Sequence, residues 1–266
     1  MSEVGNAGAD GLRVGRWTFG SRLILGTGKY ADFPTMERAL DVSGTACVTV
    51  AIRRIPLGQP GPTILDHIDK ARMTVLPNTA GCFTAEEALR VARLARELLG
   101  HELVKLEVLY NQESLLPEPL ETLRALDVLV KEGFTTMVYC GDDPVLAKRY
   151  EERGAAAVMP LGSAIGSGLG ILNAHNIAFI VRHAKVPVLV DAGLGVPSDV
   201  AQAMEIGADG VIVNTAVALA RDPVAMARGM RLACEAGRLG FVAGRMAARP
   251  AGAASSPVQG VVGTPK

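Results

Sequence analysis

About eight short runs of β-branched and aliphatic residues punctuate this chain, and most lead through a turn into a longer stretch with helical spacing. The runs at 23–25, 47–52, 74–76, 103–109, 136–140, 157–161, 186–190 and 211–213 read as strands. The stretches 84–99, 117–133, 143–154, 197–207 and 222–237 read as helices, with Thr, Pro or Asp at the front and Gly at or just past the end. The span 53–69 is less regular and carries at most a short helix. Strand–helix alternation of this kind with right-handed crossovers has two main solutions, a closed barrel or an open doubly wound sheet. A strand count near eight in 266 residues favours the barrel. So does the first strand–helix turn, Gly26-Thr27-Gly28-Lys29-Tyr30, which lacks the third glycine of a dinucleotide fingerprint. The expected architecture is an α/β (β/α)8 TIM barrel spanning residues 16–247. A hairpin of 17–19 turning into 23–25 would cap its bottom, behind a flexible head (1–15) and ahead of a mobile tail (248–266).

Composition excludes several classes. The apolar mass is aliphatic, since 49% of residues are hydrophobic and only 4% aromatic, which suits parallel strands buried on both faces. Lys plus Arg and Asp plus Glu both number 27, so no general attraction to nucleic acid or an anionic membrane is expected. No apolar run reaches the ~20 residues that span a bilayer, and the first 20 residues lack a signal-peptide core. Cys47, Cys82, Cys140 and Cys234 are scattered through apolar segments with no CxxC pair, so they read as buried thiols of a cytoplasmic protein. The four histidines show no ligand spacing. No metal and no cofactor is expected.

The chemistry begins in Leu103-Val104-Lys105-Leu106-Glu107-Val108-Leu109. Strand alternation sends Val104, Leu106 and Val108 to one face, apolar enough to meet the helix shell. Lys105 and Glu107 then face the barrel axis. An amine there must pair with an acid or lose its proton, and the neutral amine can attack a carbonyl. The plain alternative is a Lys–Glu pair that only fills the interior. Asp191 ends a later strand at the C-terminal face, where barrel active sites are built. Capping or loop bracing would be its ordinary use. Three loops from consecutive late strands supply an anion cradle: Gly162 to Gly168, Ala192-Gly193, and Asn214-Thr215-Ala216. Lys29, just past the first strand, is the remaining lysine outside an ordinary solvated position.

These motifs, together with Leu23 to Tyr30 and Leu76 to Cys82, resemble the thiazole synthase family of bacterial thiamine biosynthesis from about residue 16 to 247. The resemblance implies condensation of 1-deoxy-D-xylulose 5-phosphate with dehydroglycine and with sulfur from the thiocarboxylate of a small ubiquitin-like carrier protein. It assigns the Schiff base to Lys105 and acid–base work to Glu107 and Asp191. The phosphate or hydroxyls would lie against Gly166, Ala192, Gly193, Asn214 and Thr215. It further implies a homo-oligomer, a tetramer, and contact with the enzyme that produces dehydroglycine. A phosphosugar aldolase using the same lysine, and a barrel that only docks a small protein, stay open as rivals.

Overall fold

In the computed structural model, which describes residues 11–55, 61–253 and 255, two short strands, β1 (Leu12–Val14) and β2 (Trp17–Phe19), pair antiparallel and stand apart from the main sheet. The main sheet holds eight parallel strands: β3 (Leu23–Gly26), β4 (Cys47–Ala51), β5 (Thr74–Asn78), β6 (Leu103–Leu106), β7 (Thr135–Cys140), β8 (Ala157–Pro160), β9 (Leu189–Asp191) and β10 (Gly210–Val213). Their order is β8-β7-β6-β5-β4-β3-β10-β9. Parallel bridges from Val158 to Val188 and from Leu161 to Asp191 bring the two end strands together. The fold is a (β/α)8 TIM barrel.

Period-two alternation decides what each strand residue buries. On β6 and just beyond it, Val104, Leu106 and Val108 join the alanines of one helix and Ala125, Leu126 and Leu129 of the next in an outer core. Leu103 and Leu109 instead join Ile24, Leu76, Met137, Tyr139 and Met159 in the barrel interior. The hairpin contributes Leu12, Val14 and Phe19 to that same interior cluster, together with Cys47, Ala157 and Leu189, which open their strands. It therefore plugs the N-terminal end of the barrel.

The outer layer comprises α1 (Phe33–Ser43), α2 (Ala85–Leu99), α3 (Pro119–Lys131), α4 (Pro144–Glu152), α5 (Ala174–His183), α6 (Pro197–Ile206), a single turn α7 (Thr215–Ala218) and α8 (Pro223–Ala243). Short 3-10 turns at Ile52–Arg54 and Ile64–His67 occupy the irregular span after β4. Capping follows the sequence grammar. Thr84 accepts from the Glu87 amide at 3.2 Å to open α2, and Gly100 closes it in the left-handed region. α1 and α5, outside the helices expected from the sequence, start on Asp32 and Asn173 in the same manner. Among the described residues no helix is long and apolar enough to cross a membrane. All four cysteines are buried free thiols.

Several expectations need correcting. The hairpin pairs residues 12–14, not 23–25, with 17–19, because Gly15 at φ +55° makes the tight turn and β3 is needed in the barrel wall. β6 stops at Leu106 rather than residue 109. The Glu107 amide donates to Thr79 Oγ1 at 2.8 Å and that hydroxyl donates to the Glu107 carbonyl at 2.7 Å, so a side chain replaces the strand ladder there. β9 starts at Leu189 because Pro187 has no N–H and the Val188 amide donates to Asp209 Oδ2 at 2.9 Å instead of joining the ladder. α8 runs past Gly237 to Ala243. A Cβ at Gly237 would stand 2.5 Å from the Ala201 carbonyl and 2.7 Å from Met204 Cβ, so this glycine permits close packing on α6 and ends nothing. Of the expected head and tail, residues 1–10, 254 and 256–266 lie outside the described residues.

Candidate active site

A cavity of about 790 Å³ opens at the C-terminal ends of the strands, and all eight residues singled out from the sequence line it. β6 delivers Lys105, the chain just past β6 delivers Glu107, and the end of β9 delivers Asp191. All three are buried, at 6%, 6% and 4% exposure, which is unusual for charged side chains and requires partners. The Lys105 ammonium forms an ion pair with Asp191 Oδ2. It also lies 5.7 Å from the centre of the Tyr139 ring, a second electron-rich surface for the cation. Of the two outcomes open to a buried lysine, pairing is the one observed.

Glu107 is a different carboxyl. Burial pushes its pKa above the ordinary carboxylate value, and the charge of Asp191 adds to that rise. Lys105 and Arg54 pull it back without reversing it. Burial also raises the Tyr139 phenol, which stays neutral and donates at 3.5 Å to the Leu115 carbonyl. The site thus combines an ammonium, a paired carboxylate and a carboxyl that holds its proton more firmly than usual. Those groups can add an amine to a carbonyl and move protons beside it.

The glycine-rich loops converge on the same side of the mouth. The Gly162 amide donates to the Ala192 carbonyl at 3.2 Å, and the Gly170 amide donates to the Gly193 carbonyl at 2.8 Å. Gly193 has φ +76°, and a Cβ on it would fall onto Ser163 Oγ, so only glycine fits. Ala192 beside it holds φ +68° despite its side chain. Asn214 and Thr215 follow β10, and Gly26, which ends β3, and Gly28 just past it lie against Asn214.

Sequence reasoning passed over Arg54, and it counted Asn78 and Thr79 within a family motif without giving either a role. Asn78 ends β5 and faces Lys105 across the sheet register, just as Asp191 ends β9. A polar residue closing an aliphatic strand was the available signal. Arg54 sits in an irregular span with no periodicity to expose it. Among the described residues no group of three or more His, Cys, Asp or Glu is arranged to hold a metal ion.

Comparison with known proteins places this geometry. The model of the family described as thiazole biosynthesis protein ThiG matches residues 13–257. Thiazole synthase of Rhodospirillum rubrum is 55% identical over 254 residues, 95% of this chain and 88% of its own length. Thiazole synthase of Stenotrophomonas maltophilia is 56% identical over 257 residues, covering 96% and 97% of the two chains. Among solved structures, one chain of the Amycolatopsis orientalis BexX/CysO complex superposes with a TM-score of 0.81 at 32% identity, over 90% of this chain and 98% of that one. An archaeal fructose 1,6-bisphosphate aldolase, at 18% identity and a TM-score of 0.50, shares the fold alone. A match across nearly the whole barrel, including the strand ends that carry Lys105, Glu107 and Asp191, means that this chain belongs to the thiazole synthase family.

Proposed function

We propose that this thiazole synthase family member condenses 1-deoxy-D-xylulose 5-phosphate with dehydroglycine and with sulfur from the thiocarboxylate of a small carrier protein, a sulfurtransferase-type reaction. The observation that carries the proposal is the Lys105 ammonium in a strand-end cavity, ion-paired to Asp191 with Glu107 close by.

In this reading Asp191 takes a proton from Lys105, and the free amine adds to the sugar ketone. Glu107 protonates the hydroxyl of the resulting carbinolamine, which leaves as water, and an iminium remains. Its positive charge acidifies the neighbouring C–H. A carboxylate removes that proton, the C–H electron pair forms a C=C bond and the C=N π pair moves onto nitrogen, giving a neutral enamine, the form that can react with the sulfur and imine partners. The phosphate or hydroxyls rest against Gly166, Ala192, Gly193, Asn214 and Thr215, all of which line the cavity. A carrier-protein partner is consistent with a relative of this fold occurring in a two-protein complex. A homotetramer is consistent with exposed apolar side chains on and after the end of α8, Leu239, Val242 and Met246.

Borohydride trapping with 1-deoxy-D-xylulose 5-phosphate, read by intact mass for wild type and Lys105→Ala, tests the imine. An adduct on wild type alone, mapped to the peptide spanning Leu103 to Leu109, is the expected result. No adduct, or equal adduct on the variant, makes Lys105 a structural ion-pair residue. Turnover that proceeds without sulfur would favour an aldolase.

A further inference from the structure

The uncharged members of the proposed cradle leave a phosphate dianion without a counter-ion, and the structure contains one. Resting on the sugar-phosphate reading above, we propose that Lys29 is the cation that binds the substrate phosphate, closing the cradle over Gly166 and Thr215 and giving the enzyme its preference for a phosphorylated sugar.

Among the described residues three cations line the cavity, Lys29, Arg54 and Lys105. Lys105 is committed to Asp191. Arg54 follows β4, and its charge acts on Glu107. Lys29 makes no hydrogen bond or ion pair to the described residues. Its Nζ stands 3.8 Å from the point where a Gly166 Cβ would project, and Thr215 Oγ1 lies 4.0 Å from the same point. Two donors thus approach one spot that glycine leaves without a side chain. A phosphate resting on the bare face of Gly166 would have both donors beside it, and the flexible Lys29 side chain could swing the remaining distance to it.

The backbone gives independent support. Lys29 holds φ +70°, a left-handed conformation that a side chain disfavours and glycine adopts freely. The loop reaches this position because Gly26 and Gly28 lie flat against Asn214. A Cβ at Gly26 would stand 2.5 Å from Asn214 Cβ, and one at Gly28 would stand 3.3 Å from its Nδ2. A strained residue kept where glycine would be relaxed implies that its side chain has a use.

The test compares borohydride trapping across a concentration series of 1-deoxy-D-xylulose 5-phosphate and of unphosphorylated 1-deoxy-D-xylulose, in wild type, Lys29→Ala, Lys29→Gly and Lys29→Arg. Lys29→Ala should raise the half-saturating concentration of the phosphorylated sugar by about 10- to 100-fold and leave the other sugar unchanged. Lys29→Gly should lose the same preference while melting at a higher temperature than wild type. Lys29→Arg should retain most of the preference. An unchanged preference in Lys29→Ala, or an equal loss for both sugars, overturns the assignment while the sugar-phosphate reading survives. If wild type traps neither sugar, that reading falls and the assignment of Lys29 falls with it.

Discussion

Lys105 and Asp191 stand on strands separated in the barrel wall by β7 and β8, yet the ammonium of one meets the carboxylate of the other across the mouth. Neither charge has water to fall back on, since both side chains are almost wholly enclosed. In the proposed mechanism the pair stores a proton at the place where the carbonyl is attacked. It also holds two wall strands in a fixed relation at the end of the barrel where the cavity opens.

Removing one partner of such a pair strands the other. Lys105→Ala should lower stability by about 3–5 kcal/mol, because it leaves Asp191 and Glu107 buried with no ammonium between them. The double variant Lys105→Ala/Asp191→Asn should recover part of that loss. Urea denaturation of the three proteins measures both effects. A single variant as stable as wild type would mean the pair does not close in solution.

Glu107 should make stability and chemistry depend on pH. Its folded pKa is raised by burial above the unfolded value of about 4.3, so the folded state keeps this proton after the unfolded chain has released it. The resulting contribution is fully present below the unfolded pKa and is lost as pH rises through the folded one. Wild type should therefore lose stability relative to Glu107→Gln between about pH 4 and the raised value. Arg54→Ala removes a charge that lowers this pKa, so it should move upward the alkaline limb of the pH–rate profile, where the acid Glu107 loses its proton. Deuterium exchange at the sugar carbon beside the imine follows that limb. A profile that stays in place would release Glu107 from the proton transfer.

Period-two alternation was enough to send Lys105 inward and Val104 outward, because a parallel strand buried on both faces leaves its charges no other reason to be there. It could not locate the end of β6, which a hydroxyl from Thr79 settles through two hydrogen bonds. The β1–β2 turn was missed for a similar reason. The runs flanking Gly15 are three residues each, too short to show a period. Gly237 shows that one residue type can carry two meanings: it has the composition of a helix stop and the surroundings of a helix–helix contact. Local chemistry was legible, while features decided by a distant partner were not.

Adjacent positions in the proposed anion cradle should respond with opposite signs. Ala192→Gly relieves a left-handed conformation and should raise stability or leave it unchanged, within about 1 kcal/mol. Gly193→Ala places a methyl on Ser163 Oγ at φ +76° and should cost about 2 kcal/mol or more. Because the Gly170 amide bonds the Gly193 carbonyl, that shift should also displace the Gly162 to Gly168 loop and weaken sugar-phosphate binding. Melting temperatures and trapping titrations on the two variants decide it. Equal behaviour would remove the steric argument for glycine.

The hairpin at the other end of the barrel offers the complementary test, because it should carry stability without chemistry. Leu12 is 1% exposed among interior side chains, and one of its methyls lies 3.4 Å from where a Gly210 Cβ would stand. Leu12→Ala should remove about 3 kcal/mol through lost burial and the cavity left behind. The residues around Lys105 are at the opposite ends of the strands, so imine trapping at 25 °C should match wild type in extent and concentration dependence. Denaturation and trapping on one preparation give both numbers. Should trapping fail together with stability, the barrel interior would have to transmit a change at its floor to Lys105, and the division between a structural bottom and a reactive top would not hold for this chain.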